Sequence, residues 1–335
     1  MRDAPAAMRD LANRPLRANR SQLVAPGVSE RFIAKAAASE ADVVLLDLED
    51  SVPVDQKAEA RARVIAALRD LDFGRKAVSV RINALDTPFM YRDLIDVVEQ
   101  SGPRLDLVMA PKVACAADVH MLDVLLSQLE AATGRKSRIG LEVQIETAEG
   151  LQNIEAIAGA SPRLESLHFG PGDFAASVGA RSTAIGDCMA DYGVLGPADA
   201  SGARSFHPAD PWHYALARIL VAARAAGLRP VDGPYADFKD PHGLGHSARR
   251  AAALGFEGKW AIHPDQLPAI NAAFSPTQTE LDEAKAVLAA LQAAEADGRG
   301  AVTHAGRMID AASVRQARQL LAKAGGSTSS HGGRS

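Results

Sequence analysis

The chain has 335 residues, of which 47% are apolar and 23% are charged, so it is long enough to bury a large core. Its formal net charge of −4 argues against a nucleic-acid-binding surface and leaves small molecules or other proteins as partners. Two cysteines, Cys115 and Cys188, cannot form a disulfide framework, and no segment resembles a signal peptide or a membrane span, so we expect a cytoplasmic protein without membrane contact.

Eight short apolar segments have the length of β-strands, and each is bounded by polar, Gly or Pro residues. They are residues 21–25, 43–47, 77–82, 106–110, 139–145, 165–169, 229–232 and 258–262. Longer segments of helical period lie between them, including 56–69, 116–131 and 212–226, and these are long enough for crossover helices. Eight such units predict an α/β fold of the TIM (β/α)8 barrel type, because the Gly-rich turn of an open dinucleotide-binding sheet is missing.

Two stretches interrupt this pattern. Residues 178–210 are rich in Gly, Ala, Asp and Pro and predict a long loop at the C-terminal end of the barrel. After Pro276 the pattern is helical without strands, in 277–297 and 310–324. We therefore expect an N-terminal extension in 1–17, a barrel domain in 18–275, a C-terminal helical segment in 276–324 and a Gly/Ser-rich disordered tail in 325–335.

Charged residues cluster at the C-terminal ends of the predicted strands, where barrel enzymes carry their active sites. The acids are Asp47, Glu49, Asp50, Glu146 and Asp173, and the basic residues are Arg81, Lys112 and His263. Because unpaired buried carboxylates are costly, this cluster calls for a cation, and two carboxylates with open coordination positions suit Mg²⁺. The acids could instead form salt bridges with Arg81 and Lys112, and Glu49 or Asp50 could cap the following helix.

Several longer motifs stand in one order along the chain: LLDLEDSVPVDQKAEAR, VRIN, PKV, IETAEGL, FGPGDFAAS and KWAIHPDQ. Together they resemble the HpcH/HpaI aldolase and citrate lyase β-subunit superfamily. The further motifs LDTPFMYRDL, DPWHYA, PVDGPYADF and GRMIDAASVRQA resemble its malyl-CoA lyase branch. The likeness covers roughly residues 18–322, nearly the whole chain.

This resemblance implies a Mg²⁺-dependent carbon–carbon lyase, with Mn²⁺ as an alternative ion. Its substrates would be (S)-malyl-CoA or β-methylmalyl-CoA, cleaved to glyoxylate and acetyl-CoA or propionyl-CoA, so that coenzyme A is part of the substrate. A malyl-CoA thioesterase and a citramalyl-CoA lyase are alternatives on the same site. The resemblance also implies a homotrimer or homohexamer in which the C-terminal helical segment forms a lid over a neighbouring active site.

Residue roles follow from the same resemblance. Glu146 and Asp173 would bind the metal, and Arg81 would stabilise the enolate oxygen or hold a carboxylate. Asp310 would be the catalytic acid or base from a neighbouring subunit, although by position alone it could simply complement the dipole of the helix that follows. Further substrate-binding positions would be Lys35, Gly172, Ile262 and His263, with Arg81 and Asp173.

Other positions are expected to support these. Asp47, Glu49, Asp50 and Lys112 would orient water, metal and Arg81. Val24 and Ser29 stand where malyl-CoA lyases commonly carry an aromatic residue and an Arg. We expect Trp212 and Trp260 to pack the barrel, and both cysteines to be chemically inert.

Overall fold

The computed structural model describes residues 15, 17–181, 185–186, 189, 191–296, 302–304 and 307–329. Cys188, most of the predicted N-terminal extension and the end of the predicted tail lie outside these residues. The chain divides into two units, Met1–Asn271 and Ala272–Ser335.

The predicted barrel is confirmed. The strands in the described residues are β1 (Ser21–Pro26), β2 (Val43–Asp47), β3 (Ala77–Arg81), β4 (Leu107–Ala110), β5 (Gly140–Ile145), β6 (Leu164–Phe169), β7 (Gly193–Ala198), β8 (Arg204–Pro208), β9 (Arg229–Asp232), β10 (Gly258–Ala261), β11 (Val302–His304) and β12 (Arg307–Ile309). Eight of them close a parallel barrel in the order β1-β10-β9-β6-β5-β4-β3-β2. Because helices cover the outside and side chains fill the inside, these strands read as continuous apolar runs such as VVLL in β2.

Helices connect the barrel strands as predicted. They are α1 (Glu30–Ala37), α2 (Lys57–Asp70), α3 (Met90–Gln100), α4 (Ala116–Thr133), α5 (Ala148–Gln152), α6 (Ile154–Ala158), α7 (Pro171–Ser177), α8 (His213–Ala225), α9 (Pro241–Leu254) and α10 (Leu267–Phe274), with short 3-10 helices at Val54–Gln56, Gly102–Arg104 and Pro264–Gln266. All eight barrel strands are parallel, so their C-terminal ends open on one face.

The segment 178–210 is not simply a loop. It contains an antiparallel hairpin of β7 and β8, in which most residues of both strands are exposed. The prediction missed it because its strands show no alternation of buried and exposed positions, which is the signal that identifies a strand in sequence.

The second unit also differs from the prediction. It contains α11 (Gln278–Ala296), the short antiparallel pair β11 and β12, and α12 (Ala311–Ser329). The expectation of helices without strands after Pro276 was therefore wrong, since three-residue strands are too short to leave a pattern. Helix α12 also includes residues 325–329, which were expected in the flexible tail. In the part of the chain that the structure describes, no helix is long and apolar enough to cross a membrane.

Candidate active site

The C-terminal ends of the barrel strands open into a pocket of about 330 Å³. Both polar and apolar residues line it. The polar lining consists of Asp47, Asp50, Ser51, Arg81, Gln144, Glu146 and Asp173. The apolar lining consists of Val24, Pro171, Ile185, Pro234, Trp260 and Ile262, and Gly170 and Gly172 complete the lining. The structure thus brings together most of the residues that the sequence singled out.

Glu146, which follows β5, is the most deeply buried acid of the proposed metal pair. Its Oε1 accepts a hydrogen bond from the backbone N of Lys112 at 2.8 Å, and its Oε2 accepts one from Nε2 of Gln144 at 2.5 Å. Burial, together with the negative charges of Glu49 and Asp173, raises the pKa of Glu146 to about 8. A nearby cation would therefore stabilise its ionised form.

Gly170 lets β6 approach Glu146 closely. A Cβ at this position would lie 2.3 Å from Oε2 and 2.4 Å from Cβ of Glu146. Only glycine leaves room for the carboxylate, which explains the first glycine of the FGPGDF motif. Helix α7 begins at Pro171, directly after Gly170, and Asp173 lies in its first turn.

Arg81, the last residue of β3, is held by three acids at the C-terminal end of β2. Its Nε and Nη2 donate to the two oxygens of Asp47 at 2.7 and 2.8 Å. Its Nη1 lies 2.9 Å from Oε2 of Glu49 and 3.2 Å from Oδ2 of Asp50. The predicted pairing of Arg81 with Glu49 therefore exists, and Arg81 still lines the pocket.

Asp47 and Arg81 are fixed in their charged forms. Burial would raise the pKa of Asp47, but the charge and hydrogen bonds of Arg81 lower it to about 2. Burial likewise opposes the charge on Arg81, and Asp47 and Glu49 more than compensate by raising its pKa. Asp47 also accepts hydrogen bonds from the backbone N of Glu49 and from Ser51. Both carboxylate oxygens of Asp47 thus already accept hydrogen bonds. Asp47 therefore stabilises the turn after β2 and does not bind a ligand.

Lys112 lies close to acids that follow β2 and to Asp173, which follows β6. Its Nζ lies 2.5 Å from Glu49, 3.6 Å from Asp50 and 3.6 Å from Asp173. Burial alone would lower the pKa of Lys112. The hydrogen bond and charge of Glu49 raise this pKa by a larger amount, so the ammonium stays charged. The backbone of Lys112 has φ of 51°, in the left-handed region that non-glycine residues rarely adopt. This conformation accompanies the hydrogen bond from its N to Glu146.

The donor set fits a magnesium ion. Among the described acids at this mouth, Asp47, Glu49, Asp50, Glu146 and Asp173 face two cationic side chains, Arg81 and Lys112. Oε1 of Gln144, beside Glu146, is buried without a hydrogen-bond partner. Across the ranges that the structure describes, no three Asp, Glu, His or Cys side chains could hold a metal ion together. A site with two carboxylates is what Mg²⁺ commonly uses, since it keeps several water or substrate oxygens.

A hydrogen-bonded network fills the barrel centre, and the sequence did not reveal it. Glu142 accepts from Ser79, Ser166 and Gln22, and lies 3.3 Å from Nε2 of His168. Burial would raise the pKa of Glu142, but His168 and the hydroxyl of Ser79 lower it to about 2. The inward positions of these residues could have been read from strand alternation, but their mutual contacts could not.

Trp260 joins this network to the pocket. Its Nε1 donates to Nδ1 of His168 at 2.8 Å, and Nε2 of His168 lies 2.8 Å from the hydroxyl of Ser166 and 3.3 Å from Glu142. The guanidinium of Arg81 lies over the Trp260 ring, 5.5 Å from its centroid. Trp212 packs against Phe169 and Phe174, away from this network. Both tryptophans pack the barrel as expected, but Trp260 also forms part of the pocket wall.

The other predicted substrate-binding positions are more scattered. Ile262 lines the pocket, whereas Lys35 and His263 are not among the described residues that line it. Lys35 is exposed on α1, a helix that Ser29 caps by accepting a hydrogen bond from the N of Phe32. His263 stacks on Phe238 with ring centroids 5.2 Å apart.

Asp310 belongs to the second unit and immediately precedes α12. Its Oδ1 accepts hydrogen bonds from the backbone N and the hydroxyl of Ser313, at 2.8 and 3.0 Å. These hydrogen bonds lower its pKa. Asp310 therefore caps its helix, the structural role that its position alone had suggested.

Comparisons with known proteins decide the family. The model of the HpcH/HpaI aldolase/citrate lyase family matches residues 20–264. The chain belongs to this family. It is 49% identical over 310 residues to the L-malyl-CoA/beta-methylmalyl-CoA lyase of Cereibacter sphaeroides, covering 92% of this chain and 96% of that one. It is 35% identical over 305 residues to a (3S)-malyl-CoA thioesterase of the same species, covering 91% and 94%.

A solved structure of this family also matches. CitE from Mycobacterium tuberculosis, in complex with magnesium, acetoacetate and coenzyme A, superposes with a TM-score of 0.70 at 33% identity. The match covers 92% of this chain and 98% of that one. The lyase relative and this solved structure thus each match 92% of this chain.

Proposed function

We propose that the protein reversibly cleaves (S)-malyl-CoA, β-methylmalyl-CoA or both to glyoxylate and acetyl-CoA or propionyl-CoA, with Mg²⁺ as cofactor. The observation that carries this proposal is the convergence of Glu146, Asp173 and Arg81 on one pocket. The higher identity to a lyase than to a thioesterase, 49% against 35%, supports carbon–carbon cleavage over hydrolysis.

The reaction is a retro-Claisen cleavage. The hydroxyl of the substrate loses its proton, and the bond between the hydroxyl-bearing carbon and the carbon next to the thioester breaks. The electron pair of that bond forms an acyl-CoA enolate, which takes up a proton on carbon. Mg²⁺ held by Glu146 and Asp173 would supply positive charge beside the oxygen that becomes the aldehyde of glyoxylate.

The protein's own residues handle the second site of negative charge. Arg81 would donate to the enolate oxygen or to the substrate carboxylate, and Asp47 fixes the orientation of its guanidinium. Lys112 and Gln144 hold Glu146 by one hydrogen bond each. Glu49 and Asp50 complete the charge balance around Arg81 and Lys112.

We further propose that Asp310 supplies the acid or base for the enolate carbon from a neighbouring subunit of a homotrimer or homohexamer. Lys35 would contact the coenzyme A portion, and Gly172, Ile262 and His263 would line the bound substrate. Mn²⁺ would replace Mg²⁺, since both prefer oxygen ligands. The absence of a disulfide framework in the sequence supports a cytoplasmic location.

One experiment separates the lyase from the thioesterase. Purified protein is incubated with Mg²⁺ and (S)-malyl-CoA, and glyoxylate, malate and free coenzyme A are measured separately. We expect glyoxylate with acetyl-CoA. Malate with free coenzyme A would identify a thioesterase, and neither product would contradict both assignments for this substrate.

A pair of variants tests the metal ligand. Asp173→Asn should abolish Mg²⁺-dependent turnover while the fold is kept, because an amide binds Mg²⁺ more weakly than a carboxylate. The control is Asp282→Asn, an exposed acid of α11. Full activity of Asp173→Asn would remove this residue from the metal site.

A further inference from the structure

One apolar side chain of the pocket comes from outside the barrel strands and their immediate ends. Ile185 lies between α7 and the β7–β8 hairpin, and it lines the pocket together with Gly172 and Asp173. We propose that Ile185 sets the size of the 2-oxo acid that the site accepts. This inference rests on the proposed function and deepens it, because it assigns the substituent on the oxo-bearing carbon to a particular wall of the pocket.

Ile185 lies near Gly172, the residue before the proposed metal ligand Asp173. A Cβ on Gly172 would lie 3.5 Å from Cδ1 and 3.7 Å from Cγ1 of Ile185. Apart from Gly172's own chain neighbours and helix backbone, no other heavy atom of the described residues would lie within 4 Å of that Cβ. The side chain thus lies over Gly172, next to the proposed ligand Asp173. A 2-oxo acid bound at Glu146 and Asp173 would have Ile185 beside it.

The backbone of Ile185 and Gly186 lies against the loop after β9. The backbone N of Ala236 donates to the carbonyl oxygen of Ile185 at 3.0 Å. Gly186 follows with φ of 81°, and a Cβ there would lie 2.3 Å from the carbonyl oxygen of Pro234. Pro234 itself lines the pocket. Glycine at 186 is therefore required for this close approach, which holds the backbone of Ile185 beside the loop after β9.

An aliphatic side chain in a pocket wall selects ligands by volume. Glyoxylate carries hydrogen on its oxo carbon, pyruvate carries methyl and 2-oxobutanoate carries ethyl. In apolar pockets one methylene changes binding by roughly 10- to 200-fold. We expect the wild-type protein to prefer glyoxylate, and Ile185→Ala to admit the larger acids because it removes three carbons from the wall.

Binding rather than turnover tests this wall. Glyoxylate, pyruvate and 2-oxobutanoate are titrated by calorimetry into wild-type protein and Ile185→Ala at saturating Mg²⁺. We expect the ratio of the pyruvate Kd to the glyoxylate Kd to fall about tenfold or more in Ile185→Ala, with glyoxylate binding nearly unchanged. An unchanged ratio in a variant that melts like wild type would overturn the inference.

A second pair of variants tests the anchor. Gly186→Ala should displace Ile185 and lower the same ratio, because its Cβ meets Pro234. The matched control is Gly202→Ala, since Gly202 has a φ of 82° but nothing within 4 Å of a built Cβ. A shift with Gly202→Ala as large as with Gly186→Ala would contradict the anchoring argument.

The outcome also separates this inference from the proposed function. A shifted binding ratio without lyase products would uphold the wall and contradict the lyase. Lyase activity with an unchanged ratio would uphold the lyase and contradict the wall. No binding of any of the three acids by the wild-type protein would overturn the inference directly.

Discussion

Asp47 and Arg81 form a two-pronged ion pair between neighbouring strands. They occupy the last positions of β2 and β3 and are register partners in the sheet. Two N–H groups of the guanidinium reach the two carboxylate oxygens at 2.7 and 2.8 Å. Since both side chains are buried, neither can turn away without leaving a charge unpaired. The orientation of Arg81 in the pocket therefore depends on Asp47.

Asp47→Asn should reduce both stability and turnover. It leaves the buried Arg81 without its main counter-charge, which costs about 3–5 kcal/mol when a buried pair is broken. We expect kcat for malyl-CoA cleavage to fall by about 10²-fold as the guanidinium loses its orientation. Denaturant unfolding and steady-state kinetics measure the two effects.

The matched control is Asp42→Asn. Asp42 forms a similar two-pronged pair with Arg20, at 2.9 and 2.8 Å, outside the pocket. This variant should lose stability but keep kcat. An equal loss of kcat in both variants would show that general destabilisation, not the orientation of Arg81, explains the effect of Asp47→Asn.

Binding of Mg²⁺ should depend on pH through Glu146. Its pKa of about 8 means that the carboxyl is largely protonated at neutral pH before the metal binds. Metal binding must then release a proton, so the affinity should rise about tenfold per pH unit below pH 8 and level off above it. Calorimetry between pH 6 and 9 measures the Mg²⁺ affinity, and its repetition in buffers of different ionisation enthalpy measures the number of protons released. Affinity independent of pH over this range would contradict a metal role for Glu146.

The same shift affects stability in the opposite sense. Folding raises the pKa of Glu146 from 4.5 to about 8, so between these values the metal-free folded protein holds a proton that the unfolded chain releases. The stabilising contribution of this proton on Glu146 is fully present below pH 4.5. The free energy of unfolding therefore falls as the pH rises, and the contribution is lost as the pH passes 8. Glu146→Gln should flatten this part of the stability profile.

Much of this arrangement could be predicted from the sequence. The barrel strands were recognisable because each is a short apolar run, and Asp47, Arg81 and Glu146 were recognisable because polar residues at strand ends break that run. The ion pairs could not be predicted, since several acids compete for Arg81 and only the register of β2 and β3 decides among them. Ile185 carried no signal, because it lies in a segment without periodicity.

Gly170→Ala should weaken the metal site without unfolding the barrel. The added methyl would lie 2.3 Å from Oε2 of Glu146 and push the carboxylate away. We expect the Mg²⁺ Kd to rise by about 10- to 100-fold, as is typical when a metal ligand loses its support. The control is Gly159→Ala, whose Cβ would meet only the carbonyl oxygen of Glu155, at 3.7 Å. Equal Mg²⁺ affinity in the two variants would contradict this steric account.

Two substitutions of Lys112 separate its backbone from its charge. Lys112→Gly and Lys112→Ala both remove the ammonium beside Glu49, so both should lower kcat. Only glycine adopts φ of 51° without strain, and Lys112→Gly should therefore be more stable than Lys112→Ala by about 1 kcal/mol. Denaturant unfolding compares them. A more stable alanine variant would show that the left-handed conformation is not retained.

Asp310 is tested by subunit complementation. Asp310→Ala and Asp173→Asn should each be inactive, but mixed oligomers would contain some sites with both residues intact if Asp310 acts across an interface. We expect mixing to restore a fraction of wild-type activity. No recovery, when mixed oligomers are shown to form, would contradict action from a neighbouring subunit.

The network around Glu142 has a consequence for how this protein can diverge. Gln22, Ser79, Ser166 and His168 all direct polar atoms at one buried carboxylate, so a change in any single member leaves another without a partner. The residues at the barrel centre must therefore change as a set, whereas the apolar side chain of Ile185 leaves no polar group without a partner when it changes. New substrate preferences should therefore arise first through changes at Ile185, while the hydrogen-bonded network around Glu142 stays the same.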